Sequence, residues 1–186
     1  MIKRNIEKRL LEWKNQANHM PLIIRGARQV GKTYTVKAFA RQYFENIVNI
    51  NFEYQPEFKQ CFETNDPNEI ISKISLITGQ DIIEDRTLLF LDEIQECPKA
   101  LVSLRYFKEK KPGLHVIAAG SLLEFVLNQG FSIPVGRIQF LSMHPLTFSE
   151  YLEARGRKDL REYLSNISIE SKIDDIVHKN LLKILK

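Results

Sequence analysis

Apolar positions along the chain switch between a helical and an extended period. Residues 2–14 set Ile2, Ile6, Leu10 and Trp13 on one stripe, the spacing of a short amphipathic helix. The run PLIIRG (21–26) predicts a buried strand, and Lys32 to Tyr43 predicts the helix that follows it. NIVNINFE (46–53) alternates apolar and polar residues through Ile50 and Phe52, as a second strand should. TLLFLDE (87–93) is apolar without interruption up to its acidic end, the pattern of a strand covered on both faces. Pro98 to Lys110 predicts a helix, LHVIAAG (114–120) a fourth strand, Leu122 to Leu127 a short helix and RIQFL (137–141) a fifth strand.

Boundary residues agree with that division. Asp66-Pro67-Asn68-Glu69 reads as a helix start with Asp as cap and Pro in the first turn. Thr147-Phe148-Ser149-Glu150 is a capping box opening another helix. Strands alternating with helices predict an α/β fold of three layers, a central parallel sheet with helices on both faces. Beyond it, Ile169, Ile173, Ile176, Val177, Leu181, Ile184 and Leu185 form a strong helical stripe with no glycine cap after it. The pattern divides the chain into a sheet domain over 1–150 and a helical segment over 151–186. The stripe is expected either to await a packing partner past Lys186 or to fold back on the sheet domain.

The loop between the first strand and its helix is GARQVGKT, from Gly26 through Ala27, Arg28, Gln29, Val30, Gly31 and Lys32 to Thr33. It matches the phosphate-loop pattern G-x-x-x-x-G-K-[ST] in full and sits in the strand-to-helix context that pattern requires. Its glycines let the backbone curl so that successive N–H groups face a phosphate. The helix N-terminus, with Tyr34 in its first turn, adds partial positive charge. Lys32 is placed to reach the β- and γ-oxygens, and the Thr33 hydroxyl to ligate Mg²⁺.

A bound metal needs acidic help, and Asp92-Glu93 supplies it at the C-terminal end of a buried strand. Asp92 would hold Mg²⁺, and Glu93 beside it could polarise an attacking water, which favours hydrolysis over transfer to a substrate hydroxyl. Ser121, ending the fourth strand, could hydrogen-bond that water or the γ-phosphate, or could cap the helix after it. Arg137 follows a Pro-Val-Gly turn, either as an arginine for the γ-phosphate, in the same or a neighbouring subunit, or as a surface residue.

Composition narrows the picture less than the motifs do. Hydrophobic residues make up 44% and charged residues 27% of the 186, enough for an ordinary core. The net charge of +4 permits nucleic-acid contact without demanding it, and the runs KEKK (108–111) and RGRK (155–158) are short enough to be solvated helix ends. Cys61 and Cys97 lack CxxC spacing, which argues against a zinc site or a disulfide framework. Charge breaks every apolar run near the N-terminus, and no stretch reaches the ~18 apolar residues of a membrane span, so a cytoplasmic protein without membrane contact is expected.

With GARQVGKT, LLFLDEIQ, AAGSLLEF and PVGRIQFLSMHPLTFSEYL in that order, the chain resembles the AAA-type P-loop ATPases. More narrowly, it is similar to a prokaryotic ATPase family whose AAA domain is followed by a C-terminal domain of unknown function. The resemblance covers the chain from about Ile2 onward. It implies ATP and Mg²⁺ as ligands, Walker A, Walker B and sensor-1 roles for Lys32, Thr33, Asp92, Glu93 and Ser121, and an arginine role for Arg137. It also implies a continuation past Lys186 that carries client specificity. The client, protein or DNA, stays open, as does a homo-oligomer. Rival readings are a small-metabolite kinase, with RGRKDLR (155–161) imitating its lid, and a nucleotide-sensing module that hydrolyses slowly. A GTPase is disfavoured, since no Asn-Lys-x-Asp occurs.

Overall fold

The computed structural model describes residues 4–121, 136–168 and 172–185. The chain divides into two compact units, one of Arg4–Pro145 and one built mainly on Leu146–Lys186. In the first, the order is α1 (Ile6–Lys14), β1 (Leu22–Arg25), α2 (Lys32–Tyr43), β2 (Asn46–Asn51), α3 (Pro67–Thr78), β3 (Thr87–Asp92), α4 (Pro98–Lys110), β4 (His115–Gly120) and β5 (Gln139–Ser142). Two 3₁₀ turns, Pro56–Glu63 and Ile94–Glu96, are its other elements among the described residues. The expected helix from Leu122 to Leu127 lies outside the described residues.

All five strands are parallel, in the order β2-β3-β4-β1-β5. Side chains alternate between the faces, so each strand feeds two cores. Ile23, Ile50, Leu89, Leu91 and Val116 pack with α3, α4 and the longer 3₁₀ turn. Leu22, Ile24, Leu88, Phe90 and Ile117 pack with α1 and α2 on the opposite face. Every residue of β3 and β4 is buried, which explains their unbroken apolar runs, whereas β2 at the sheet edge alternates. Burying each Leu, Ile or Phe this way contributes roughly 1.5–3 kcal/mol.

The winding follows from handedness. From β1 the chain crosses over β4 and β3 to reach β2, with α2 on one face. It then returns through β3 to β4 with α3 and α4 on the other. Right-handed crossovers that reverse direction must change face. Parallel pairing also brings the C-terminal ends of all five strands to one edge of the sheet.

The second unit holds α5 (Phe148–Ala154), α6 (Lys158–Ser165) and α7 (Asp175–Leu185). Thr147 and Glu150 form the complete capping box at the start of α5. Leu181 of α7 is buried against Leu152 and Leu160, with Val177 and Ile184 partly buried beside it. Within this unit, part of the terminal stripe thus packs on the leucines of α5 and α6. Ile176, counted in that stripe by its spacing, is 77% exposed. Arg157 and Arg161 each bind a carboxylate of their own unit, Asp159 and Glu153, so neither is a free cation of the kind a kinase lid presents.

Candidate functional site

At the C-terminal edge of the sheet, β1 runs into the loop Gly26–Gly31, which opens α2. A Cβ at Gly26 would lie 2.1 Å from the Met143 carbonyl oxygen, so only glycine lets the loop pass under the end of β5. Gly31 takes φ 94° and Gln29 φ 62°, both in the left-handed region. The side chain of Arg4 braces the loop from outside, donating to the carbonyls of Val30 at 3.0 Å and His144 at 2.8 Å. Lys32, at the start of α2 and 7% exposed, donates to the carbonyls of Gly26 at 2.9 Å and Ala27 at 2.8 Å. Burial holds its ammonium below the usual lysine value, against the pull of Glu93 and Asp92.

Register places the acidic strand across from this loop. Asp92 pairs with Ala119 of β4 on one side and Asn51 of β2 on the other, while Gly120 pairs with Arg25. Thr33 Oγ1 donates to Asp92 Oδ2 at 2.8 Å, and Asn51 Nδ2 donates to the same oxygen at 3.3 Å. Asp92 is 1% exposed; burial pushes its carboxyl above the usual range, the Thr33 hydrogen bond opposing. Glu93 sits one residue beyond with φ 51° and ψ 48°, a left-handed backbone that turns it away from the strand axis. Gln95 Nε2 donates to its Oε2 at 2.6 Å. Ser121 Oγ, at the end of β4, is buried and makes no hydrogen bond among the described residues. The helix that Ser121 could cap lies outside the described residues.

Lys32, Thr33 and Glu93 line a cleft of about 440 Å³ together with Arg28, Gln29, Gly31, Tyr34, Glu53 and Tyr54. A hydroxyl and a carboxylate that meet at one point suit a hard cation such as Mg²⁺. Among the described residues no three or more His, Cys, Asp or Glu are grouped so that they could hold a metal ion by themselves, and Mg²⁺ is usually held by one or two carboxylates with phosphate oxygens and water.

Arg137 is not brought to the cleft. Gln139 pairs with Leu22 and Ser142 with Arg25, so Arg137 lies at the N-terminal edge of the sheet, roughly 16 Å of strand below the phosphate loop. Its Nε lies 3.4 Å from Glu109 at the end of α4. An arginine side chain does not span that distance, and a within-chain role for Arg137 fails on geometry.

Three contributors escape a reading of the sequence. Asn51 looks like one more polar position of an alternating strand, yet its amide binds Asp92 and its Oδ1 accepts from the N–H groups of Glu53 and Tyr54. Gln95 follows the acidic pair by two, a spacing visible only once Glu93 is known to turn left-handed. Arg4 carried no signal, because its partners are backbone carbonyls far along the chain. Cys61 and Cys97 are free and buried. Among the described residues no helix is long and apolar enough to cross a membrane.

Among solved structures, a RuvB variant from Thermotoga maritima superimposes with TM-score 0.52 at 16% identity, over 88% of this chain and 52% of that one. A chain of Drosophila ORC bound to DNA gives TM-score 0.52 at 16% identity, over 84% and 47%. A Walker-type ATPase of Pyrococcus abyssi gives 0.49 at 16% identity, over 100% and 72%. The chain thus spans about half the length of the RuvB and ORC chains, and the likeness to these two is one of fold. No curated protein shows significant sequence similarity. The model of the AAA domain family matches residues 18–152, which hold the phosphate loop, the acidic strand and the whole sheet. On that match, the chain belongs to the AAA domain family.

Proposed function

We propose that the domain binds ATP with Mg²⁺ and hydrolyses it, as fuel or switch for a protein or DNA client. One observation carries the reading: Thr33, which donates to the buried Asp92 at 2.8 Å, lines the same cleft as Lys32 and Glu93. The carbonyl bonds of Lys32 mark where phosphate oxygens would compete for its ammonium. Thr33 and Asp92 would hold Mg²⁺, which draws electron density from the phosphate oxygens when bound. Glu93 accepts the proton of the attacking water, and Ser121, whose Oγ has no hydrogen-bond partner among the described residues, offers its hydroxyl from the neighbouring strand. That division of labour needs no acceptor substrate, which favours hydrolysis over the kinase reading.

Arg137 enters this reading only where a second copy presents it to the first. A DNA client is compatible with the net charge of +4, and the DNA-bound ORC chain shares the fold. Falling association in rising salt would support it. The direct test is nucleotide titration of folded Lys32→Ala protein. Loss of ATP binding is expected; unchanged affinity together with unchanged phosphate release would sink the assignment.

A further inference from the structure

Phosphoryl transfer concentrates negative charge on the γ-phosphate oxygens, and a guanidinium facing them is worth about 10³- to 10⁵-fold in turnover. The arginine first considered for this, Arg137, stands at the far edge of the sheet, paired with Glu109. The cleft nevertheless contains an arginine of its own. Arg28 lies two residues into the phosphate loop and lines the cleft together with Lys32, Thr33 and Glu93. It is exposed, and it forms no hydrogen bond or ion pair with any described residue. The other cation there, Lys32, is buried and engaged by two carbonyls.

Loop geometry alone does not call for arginine at this position. The phosphate-loop pattern fixes the two glycines, the lysine and the threonine, and leaves residue 28 free. The residue after it, Gln29, holds φ 62°, a conformation glycine would adopt more easily, so the turn persists in a strained form directly beside Arg28. The charge of Arg28 is near enough to oppose protonation of Lys32. Two cations held close in one cleft repel each other until an anion sits between them. Across the cleft stand Glu53 and Glu93, and neither is bonded to the guanidinium.

We propose that Arg28 is a catalytic residue that contacts the γ-phosphate from within the same chain, doing the work a partner subunit's arginine would otherwise do. This rests on the ATPase reading above. In the step it serves, the water oxygen bonds to the γ-phosphorus, the bond to the β–γ bridging oxygen breaks, and the water's proton passes to Glu93. ADP and inorganic phosphate leave. Arg28 exchanges no proton; its fork of N–H donors binds the γ-oxygens as their charge grows.

The experiment compares the parent chain, Arg28→Ala, Arg28→Lys and Lys32→Ala by affinity for ATP and for ADP, by phosphate release, and by formation of a complex with ADP and aluminium fluoride. The expected result for Arg28→Ala is ADP affinity within a few-fold of the parent, lost preference for ATP over ADP, turnover down by about 10³-fold or more, and no aluminium fluoride complex. Arg28→Lys keeps the charge without the fork and should recover only a small part. Parent turnover per chain should not change with protein concentration. Arg28→Ala protein that keeps the parent's turnover and ATP preference overturns the proposal. So does an equal loss of ATP and ADP affinity, which makes Arg28 a general phosphate contact, and so does turnover per chain that climbs with concentration. A parent that binds no nucleotide, or a Lys32→Ala chain that binds like the parent, refutes the ATPase reading itself, and the Arg28 variants play no part in that result.

Discussion

His19 and His115 stack ring on ring, 3.8 Å between centroids and 9° from parallel. Trp13 stands edge-on to both, at 5.7 and 5.4 Å. His115 Nε2 meets the Lys14 carbonyl at 3.2 Å, so that nitrogen carries the hydrogen, and the buried Nδ1 has no partner among the described residues. Burial first, and then the charge of His19, pulls His115 from 6.5 down to about 4, while the hydrogen bond to the Lys14 carbonyl and then Asp85 oppose. Burial lowers His19 as well, with Lys108 adding to it. The folded value lies below the unfolded one, so the unfolded chain takes up a proton that the folded chain refuses. Stability from this pair is therefore complete above pH 6.5 and is lost progressively as pH falls toward about 4. At about 1.4 kcal/mol per tenfold, the His115 displacement makes a difference of about 3 kcal/mol. His115→Gln keeps an amide for the Lys14 carbonyl and removes the titration. Urea unfolding read by Trp13, the only tryptophan of the chain, gives the stability of both proteins at about pH 7.5 and about pH 4. The parent should lose about 3 kcal/mol more than the variant between the two. Equal losses would show that the stacked pair is not what acid attacks.

Three further outcomes follow from the same geometry. Gly26→Ala drives a methyl group into the Met143 carbonyl, a backbone atom that cannot rotate aside, and should cost about 1–3 kcal/mol of stability together with nucleotide affinity. Calorimetry and nucleotide titration check both, and a variant that matches the parent would refute the close approach. Arg137→Ala should hydrolyse ATP at close to the parent rate in dilute protein, because its ion pair with Glu109 lies at the far edge of the sheet. If it is inactive, and mixing with Lys32→Ala restores activity, the residue acts across an interface between copies. Asn51→Leu removes an amide from Asp92 and two hydrogen bonds from the Glu53–Tyr54 turn, and should lower stability by roughly 1–3 kcal/mol and weaken Mg²⁺-dependent nucleotide binding. Metal titrations of the two proteins would reveal any such weakening.

The sequence was most legible where one local rule decides the outcome. Lys32–Tyr43 and Pro98–Lys110 begin and end as their stripes predict, and Thr147 caps its helix as its spacing with Glu150 requires. Strand positions were readable because β3 and β4 are buried on both faces and admit almost nothing polar before Asp92 and Ser121. Strand order was not readable, since nothing in the TLLFLD or HVIAAG runs says that β4 lies between β1 and β3. That insertion is what sets the end of β4 between Arg25 and Asp92. The fifth strand was expected at 137–141 and runs Gln139–Ser142, a shift that carries Arg137 out of the strand and shows which edge it occupies. The long 3₁₀ turn over Pro56–Glu63 was missed because its buried Phe58, Cys61 and Phe62 fit no helical or extended period long enough to stand out. Within the helical segment expected over 151–186, the separate bounds of the helix Lys158–Ser165 were not legible, because a single buried leucine, Leu160, anchors it amid charged residues.

The most direct test of the account separates holding ATP from cleaving it. Glu93 lines the cleft without taking part in the Thr33–Asp92 contact, so Glu93→Gln preserves size and the metal ligands and removes only the proton acceptor. ATP affinity and phosphate release are measured on the same preparations of parent and variant. The account predicts ATP bound at close to the parent's affinity and phosphate release slower by roughly 10²- to 10⁴-fold. A variant that releases phosphate within a few-fold of the parent would contradict it, leaving the cleft as a phosphate-holding site whose hydrolytic base lies elsewhere.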